Sequence, residues 1–313
     1  MSEISFENQV AIVTGAGGGL GRTYALDIAR RGGAVVVNDL GGDVSGGSSS
    51  VSMADQVVAE IKAAGGRAIA NYASVTSAEG AANIVDAALQ SFGRIDVLIN
   101  NAGNMRTSVL ADSREEDFSA LLDVHLLGSY HVTKAVWPHM CAQSYGRIIF
   151  TASSAGMFGN VNQGCYGAAK AGVFGLMNTF AQEGRSLGIL CNAIMPFAAT
   201  RMTDKAQEDM TPERIQQAEI LLGKLEDSMS PQFTTGLVTF LASRSCIDGH
   251  GIYSSCGGRM ARVFVGVSNG WQGSRQVPAT AEDIFANFSS ISDMAGVFYV
   301  PQSPSDELKQ VLS

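Results

Sequence analysis

The sequence predicts an α/β protein built on a doubly wound parallel sheet with helices on both faces. Three observations predict it. Short β-branched runs alternate with longer helical segments over most of the chain, the pattern of repeated βαβ units. A glycine turn, Gly15-Ala16-Gly17-Gly18-Gly19-Leu20-Gly21, follows the first such run directly. The 313 residues are 46% hydrophobic and only 16% charged, with 36 glycines, which suits one large core with tight turns between its layers.

The first strand is Gln9-Val10-Ala11-Ile12-Val13-Thr14, which breaks into the glycine turn before the helical segment TYALDIARRGG. A strand, a glycine turn and a helix start in that order make a cradle for a pyrophosphate. Backbone N–H groups face the anion, and residues without Cβ let it come close. The next run, Ala34-Val35-Val36-Val37-Asn38, ends at Asp39. A carboxylate there can accept from both hydroxyls of an adenosine ribose and repels a 2′-phosphate, which favours NAD over NADP. Asp39 also suits the start of a turn before Leu40-Gly41-Gly42.

GGDVSGGSSS (41–50) is too polar and glycine-rich for a fixed element and reads as an insertion near the adenosine end. MADQVVAEIKAAGG restores helical periodicity. Ala68-Ile69-Ala70-Asn71-Tyr72 is a third strand, AANIVDAALQSFG a helix and Ile95-Asp96-Val97-Leu98-Ile99 a fourth strand. Asn100-Asn101-Ala102-Gly103 follows, where amides can pin neighbouring backbone and the small pair lets a ligand lie close. Residues 117–140 are largely helical, and His125, His131 and His139 within them read as structural.

Ile148-Ile149-Phe150 reads as a buried strand, and Ser153 falls just past its carboxyl end, where open parallel sheets hold ligands. Tyr166 and Lys170 lie four apart in GCYGAAKAGVFGLMNTFAQEG, so both project from one side of a helix. A free phenol titrates near about 10 and is a poor base at neutral pH. An ammonium at roughly 4 Å, at an effective dielectric of about 20, favours the phenolate by on the order of 4 kcal/mol, or about three pKa units. The expectation is a Tyr166 whose proton moves at working pH while the Ser153 hydroxyl holds the substrate oxygen. These three side chains suffice to interconvert an alcohol and a ketone once a hydride carrier is present.

Cys191-Asn192-Ala193-Ile194-Met195-Pro196 is the next strand. Within 200–229, Thr211-Pro212-Glu213 starts a helix carrying Ile215, Ala218, Ile220 and Leu221, which either closes over substrate or packs on the body. Residues 237–242 are helical, and 251–258 read as the last strand and its turn, closing a domain at 1–258. The remaining 259–313 hold a strand-like RVFVGV and a helix TAEDIFANFSSI opening at Thr280. They form an extension too small for its own core, expected to pack on the body or on a partner subunit.

A net charge of −8 argues against nucleic acid as a partner. The five cysteines are odd in number, scattered and without metal-ligand spacing, so no metal is expected and the thiols read as those of a cytoplasmic protein. No apolar run reaches membrane length, MSEISFENQV lacks a secretory pattern, and QVLS matches no peroxisomal address.

Thr14-Gly15…Gly19…Gly21, Asp39, Asn100-Asn101-Ala102-Gly103, Ser153 and Tyr166-xxx-Lys170 stand in the order and spacing of the short-chain dehydrogenases/reductases. Over residues 5–258 the chain resembles that family. The resemblance implies a Rossmann fold, NAD as hydride carrier, Tyr166 as acid/base, Ser153 orienting substrate, and Lys170 lowering the tyrosine pKa and holding the nicotinamide ribose. It implies cofactor contacts from Gly15, Gly19, Leu20, Gly21, Asp39, Asn101, Ala102, Gly103, Tyr166, Lys170, Pro196 and Thr200. It also implies a homodimer or homotetramer built on the helices carrying His125 and Tyr166. NDLGGD (38–43), VHLLGSY (124–130), WPHM (137–140), YGRII (145–149), RMT (201–203) and the extension after Gly258 resemble one subgroup, whose members oxidise (3R)-hydroxyacyl-CoA thioesters and some steroid alcohols. The chain departs from the family pattern at His125, where an asparagine is usual, and at Ala73 and Ser74, where an aspartate usually meets adenine. Pro196-Phe197 replaces Pro-Gly, with Thr200 one place early.

The expected function is therefore NAD-dependent interconversion of a secondary alcohol and a ketone on a bulky hydrophobic substrate, either a hydroxysteroid of the 17β type or a 3-hydroxyacyl-CoA. Met105, Met157, Phe158 and Phe197 are the expected apolar walls, and Arg106 and Arg201 the cations that CoA phosphates would need. Asp39 opposes an NADPH-dependent ketoreductase. The complete Ser153, Tyr166 and Lys170 set opposes a nucleotide sensor without turnover.

Overall fold

The computed structural model describes residues 4–42, 52–208, 211, 213, 215, 216, 220, 223–295 and 298–306. The β-branched runs become strands β1 (Val10–Thr14), β2 (Ala34–Asn38), β3 (Arg67–Asn71), β4 (Val97–Asn100), β5 (Gly146–Thr151), β6 (Ile189–Phe197), β7 (Gly251–Cys256) and β8 (Arg259–Val263). They form one eight-stranded, mostly parallel sheet in the order β3-β2-β1-β4-β5-β6-β7-β8. β1, β2 and β4 are buried along their whole length, as parallel strands covered on both faces must be. The strand order reverses between β1 and β4, where Val13 pairs with both Val37 and Ile99. That reversal opens a crevice at the carboxyl ends of the two strands.

Helices cover both faces. Gly19–Arg30 packs with Ser52–Ala63 and Gln232–Ala242, while Ala78–Phe92 packs with Gly128–Gln143. On the first side Tyr24, Ile28, Val57, Ile61, Val238 and Leu241 join strand residues Val13, Val35, Val37 and Ile99 in one core. The Ala78–Phe92 helix is fixed at both ends. Ser77 Oγ accepts from Gly80 N at its start, and Gly93 ends it at φ 76°, a left-handed conformation that glycine adopts without strain. The stretch 115–143 is helical as expected but not uniform: Glu115–Leu121 passes through a π turn, Leu122–Leu127, into Gly128–Gln143.

The chain forms two compact units, Met1–Arg262 and Val263–Ser313. Gly257 and Gly258, at φ 53° and 79°, turn the chain straight back into the edge strand β8. The second unit contains Val267–Ser268 paired antiparallel with Phe298–Tyr299, a Phe264–Phe298 ring stack at 5.8 Å, and the Ala281–Ile291 helix. That helix opens at Thr280, which forms a capping box with Asp283. The insertion expected at 41–50 lies, past Gly42, outside the described residues. Of the helix expected after Thr211, Glu213, Ile215 and Ile220 are described as helical, whereas Ala218 and Leu221 are not among the described residues. Among the described residues no helix is long and apolar enough to cross a membrane.

Candidate active site

Side-chain amides and hydroxyls lock the β1 and β4 ends together. Thr14 Oγ1 accepts from the backbone N–H of Asn101 and of Ala102, and Asn101 Nδ2 donates to the carbonyls of Thr14 and Gly15, each at 3.0 Å. The glycines permit this approach. A Cβ on Gly15 would stand 2.8 Å from Ala102 Cα, and one on Gly21 would collide with the Gly15 carbonyl. Gly21 thus shapes the turn from behind and does not border the cavity above it. Above the turn, Gly15, Gly18, Gly19, Leu20, Asp39, Ala73, Ser74, Asn101, Ala102 and Gly103 border a cavity of about 600 Å³. Asp39 is held toward it: Oδ2 accepts from Gly17 N and Oδ1 from Gly41 N, both at 2.7 Å. A glycine-walled cradle facing a helix start, with a fixed carboxylate at its far end, fits a dinucleotide.

The sheet also sets the reactive side chains. β5 delivers Thr151 and Ser153 to the crevice, where Ser153 caps the Ser154–Phe158 helix by accepting from Ala155 N at 3.2 Å. Tyr166 and Lys170 are both buried on the Gly164–Gly184 helix. The Ser153 hydroxyl hydrogen-bonds Tyr166, and Lys170 Nζ donates to the Thr151 carbonyl at 2.6 Å. These residues border a second cavity of about 370 Å³, walled by Met105, Phe197, Ala198 and Met202. The two cavities share Leu20, Asn101, Gly103, Thr200 and Met202. Pro196 lines the second cavity alone, and Thr200 lies across the glycine turn, its Cγ2 3.5 Å from the place of a Gly19 Cβ. Among the described residues no group of three or more His, Cys, Asp and Glu is placed to hold a metal ion.

The electrostatics correct one expectation. Lys170 does not dominate the phenol; burial does, pushing Tyr166 up to about 12, with the Ser153 hydrogen bond pulling weakly the other way. Burial also pulls Lys170 down to about 7. The ammonium is spent on the Thr151 carbonyl, and Nζ lies 5.8 Å from the centre of the Tyr166 ring. A phenol at about 12 is a proton donor at neutral pH, so it needs added positive charge before it can act as a base.

Three further expectations change. Met157 and Phe158 border neither cavity, and Phe158 is 72% exposed, because the short Ser154–Phe158 helix turns them away from the crevice. Arg106 borders the cavity over the glycine turn, not that of Ser153, and is paired with Asp117 at 2.5 Å. His125, read as structural, is part of the second cavity. Its Nε2 donates to the Asn104 carbonyl at 2.8 Å, and its ring meets the Tyr166 ring edge-on at 5.3 Å. Burial, reinforced by the Lys170 charge, holds it neutral. His131 and His139 are half-buried and line neither cavity. Sequence reasoning also missed Gln163 and Asn160, which border the second cavity and carry no spacing signal.

Residues 9–211 match the family of the short chain dehydrogenase. The chain belongs to that family. This short-chain dehydrogenase is 43% identical over 290 residues to a short-chain type dehydrogenase/reductase of Mycobacterium tuberculosis, covering 93% of the chain and 96% of the relative. It is 42% identical over 301 residues to peroxisomal multifunctional enzyme type 2 of Mus musculus, covering 94% of the chain but 38% of that protein. The solved full-length enzyme of the same name from Drosophila melanogaster superposes with a TM-score of 0.78 at 33% identity, over 99% of this chain and 49% of that one. The chain thus spans less than half the length of these multifunctional relatives. A 7α-hydroxysteroid dehydrogenase solved with NADH and 7-oxo glycochenodeoxycholic acid superposes with a TM-score of 0.69 at 28% identity, covering 81% of this chain and 95% of the other. The protein is an oxidoreductase acting on CH–OH groups.

Proposed function

We propose that this oxidoreductase uses NAD to interconvert a secondary alcohol and a ketone on a bulky hydrophobic molecule, a hydroxysteroid or a 3-hydroxyacyl-CoA. The observation that carries the reading is the meeting of Ser153, Tyr166 and Lys170 in an apolar-walled cavity that shares five residues with the cavity over the glycine turn. Gly15, Gly19 and Asp39 would hold the pyrophosphate and adenosine ribose, and Tyr166 and Lys170 the nicotinamide ribose. When bound, the dinucleotide supplies the hydride acceptor or donor. In oxidation Tyr166 Oη takes the hydroxyl proton while Ser153 Oγ donates to the same oxygen as it becomes a carbonyl. Beside a cationic nicotinamide ring the Tyr166 phenol would lose its proton more readily and could serve as the base. In reduction the raised pKa keeps Tyr166 protonated and ready as the acid.

Asp39 supports NAD over NADP, since its oxygens are fixed on backbone N–H groups and the residue borders the cavity. A lower KM for NADP than for NAD would refute that role. For the substrate, the cavity of about 370 Å³ lies within the common range for small-molecule sites. Its Met105, Met202 and Phe197 walls suit a steroid or an acyl chain. Rates with an estradiol-like steroid and a 3-hydroxyacyl-CoA, compared on one preparation, decide between them. A preference of roughly tenfold for either, about 1.4 kcal/mol in transition-state binding, removes the other. We further propose a cytoplasmic location and a homodimer or homotetramer built on the helices that carry His125 and Tyr166, an assembly that sedimentation of the purified chain tests.

A further inference from the structure

Arg201 is the first residue of the Arg201–Glu208 helix, and it borders the cavity over the glycine turn but not the cavity of Ser153, Tyr166 and Lys170. Its guanidinium lies directly over the phosphate loop: Nη2 is 3.3 Å from where a Cβ on Gly18 would stand. The same nitrogen rests 3.9 Å from Met53 Sδ on the Ser52–Ala63 helix. Among the described residues no carboxylate pairs with it, whereas Arg22, Arg94, Arg106 and Arg114 are each tied to an acidic side chain. An arginine fork over a run of glycine N–H groups is a setting that recognises a phosphate oxyanion from two sides.

We propose that Arg201 clamps the pyrophosphate of the dinucleotide, closing the cradle from the side opposite the glycine turn. This reading rests on the proposed dinucleotide function. The placement disfavours two other anions. A phosphate on the substrate would enter the cavity of Ser153, which Arg201 does not border. A 2′-phosphate would meet the fixed carboxylate of Asp39, whose Oδ2 lies 2.8 Å from the place of a Gly17 Cβ. The Arg201–Met53 contact gives the arm a resting place across the loop before an anion arrives. Thr200, beside it, faces Gly19 across the same cleft.

The test measures equilibrium binding of NADH, ADP-ribose and adenosine to the full chain without substrate, for the wild type, Arg201→Met and Arg201→Lys, at low and high salt. Thermal melting checks that the variants, altered at an exposed side chain, stay folded. Arg201→Met is expected to weaken NADH and ADP-ribose about 10- to 100-fold and to leave adenosine unchanged. Arg201→Lys is expected to recover part of the loss, and the salt sensitivity of NADH binding to shrink in Arg201→Met. Unchanged NADH binding in Arg201→Met overturns the clamp alone, and so does a loss confined to the KM of a CoA thioester. A wild type that binds neither NADH nor ADP-ribose overturns the dinucleotide reading and the clamp with it.

Discussion

The imidazole of His125 fills the space that a side chain on Gly103 would need: a Cβ there would come within 2.5 Å of Cε1 and 3.1 Å of Nδ1. The same ring holds the carbonyl of Asn104, so the backbone just past β4 is fixed by a residue from the π turn of a neighbouring helix. Gly103→Ala is therefore expected to destabilise the fold by about 1–3 kcal/mol through overpacking. His125→Ser in the same chain should return part of that loss. A denaturant-unfolding double-mutant cycle checks it, and strictly additive effects would refute the coupling.

Tyr166→Phe removes the proton carrier and keeps the ring that packs against His125. The expected result is a loss of roughly 10²- to 10⁴-fold in kcat, with a far smaller loss of NADH affinity from the missing ribose contact. Steady-state rates beside NADH titrations measure the two quantities separately. Unchanged NADH production from every oxidised alcohol would end the proposed chemistry.

Lys170 predicts a pH dependence of stability. Burial lowers it to about 7, so between about pH 7 and the ordinary lysine value of 10.5 the unfolded chain binds more protons than the folded one. The Lys170 contribution is fully present above that upper value and is lost as pH falls toward 7. Tyr166, raised to about 12, acts only above about pH 10 and in the opposite sense. Lys170→Met should accordingly gain stability over the wild type at pH 7, on the order of 2–4 kcal/mol, and lose most of that advantage by pH 9.5. Urea unfolding at the two pH values reads the difference, and a gap that does not change with pH rejects the buried, easily deprotonated lysine.

Asp39 holds two backbone N–H groups as well as facing the cavity. Asp39→Ala should therefore cost about 1–3 kcal/mol of stability and reduce the ratio of kcat/KM for NAD to that for NADP. Measuring that ratio in the variant tests the carboxylate's part in selecting the cofactor; no change in it removes that part.

What the sequence makes legible follows from burial. β1, β2 and β4 are covered on both faces, so they read as unbroken β-branched runs; the glycine turn and Asp39 follow β1 and β2 directly, and Tyr166 and Lys170 keep the four-residue spacing of one helix. Other features depend on three-dimensional detail that composition does not encode. The π turn at Leu122–Leu127 places His125 against Gly103 and Tyr166, and a helical periodicity reads through it unaware. Met157 and Phe158 look like cavity walls because they are apolar and near Ser153, yet the five-residue helix they ride on faces them elsewhere. Lys170 spends its charge on a main-chain carbonyl, an acceptor every residue carries and no sequence pattern marks. β8, Arg259 to Val263, begins three residues before the strand-like RVFVGV, because the paired glycines ahead of it reverse the chain at once.

That last strand matters to anyone trimming the chain. A parallel sheet that stopped at β7 would present an open row of amides to any passing extended peptide, an invitation to clump during synthesis and storage. The return stroke through Arg259 to Val263 occupies that row and lays arginines along the new margin. A shortened form ending at Gly258 is thus a poor reagent, whereas one ending just past Val263 keeps its own sealant.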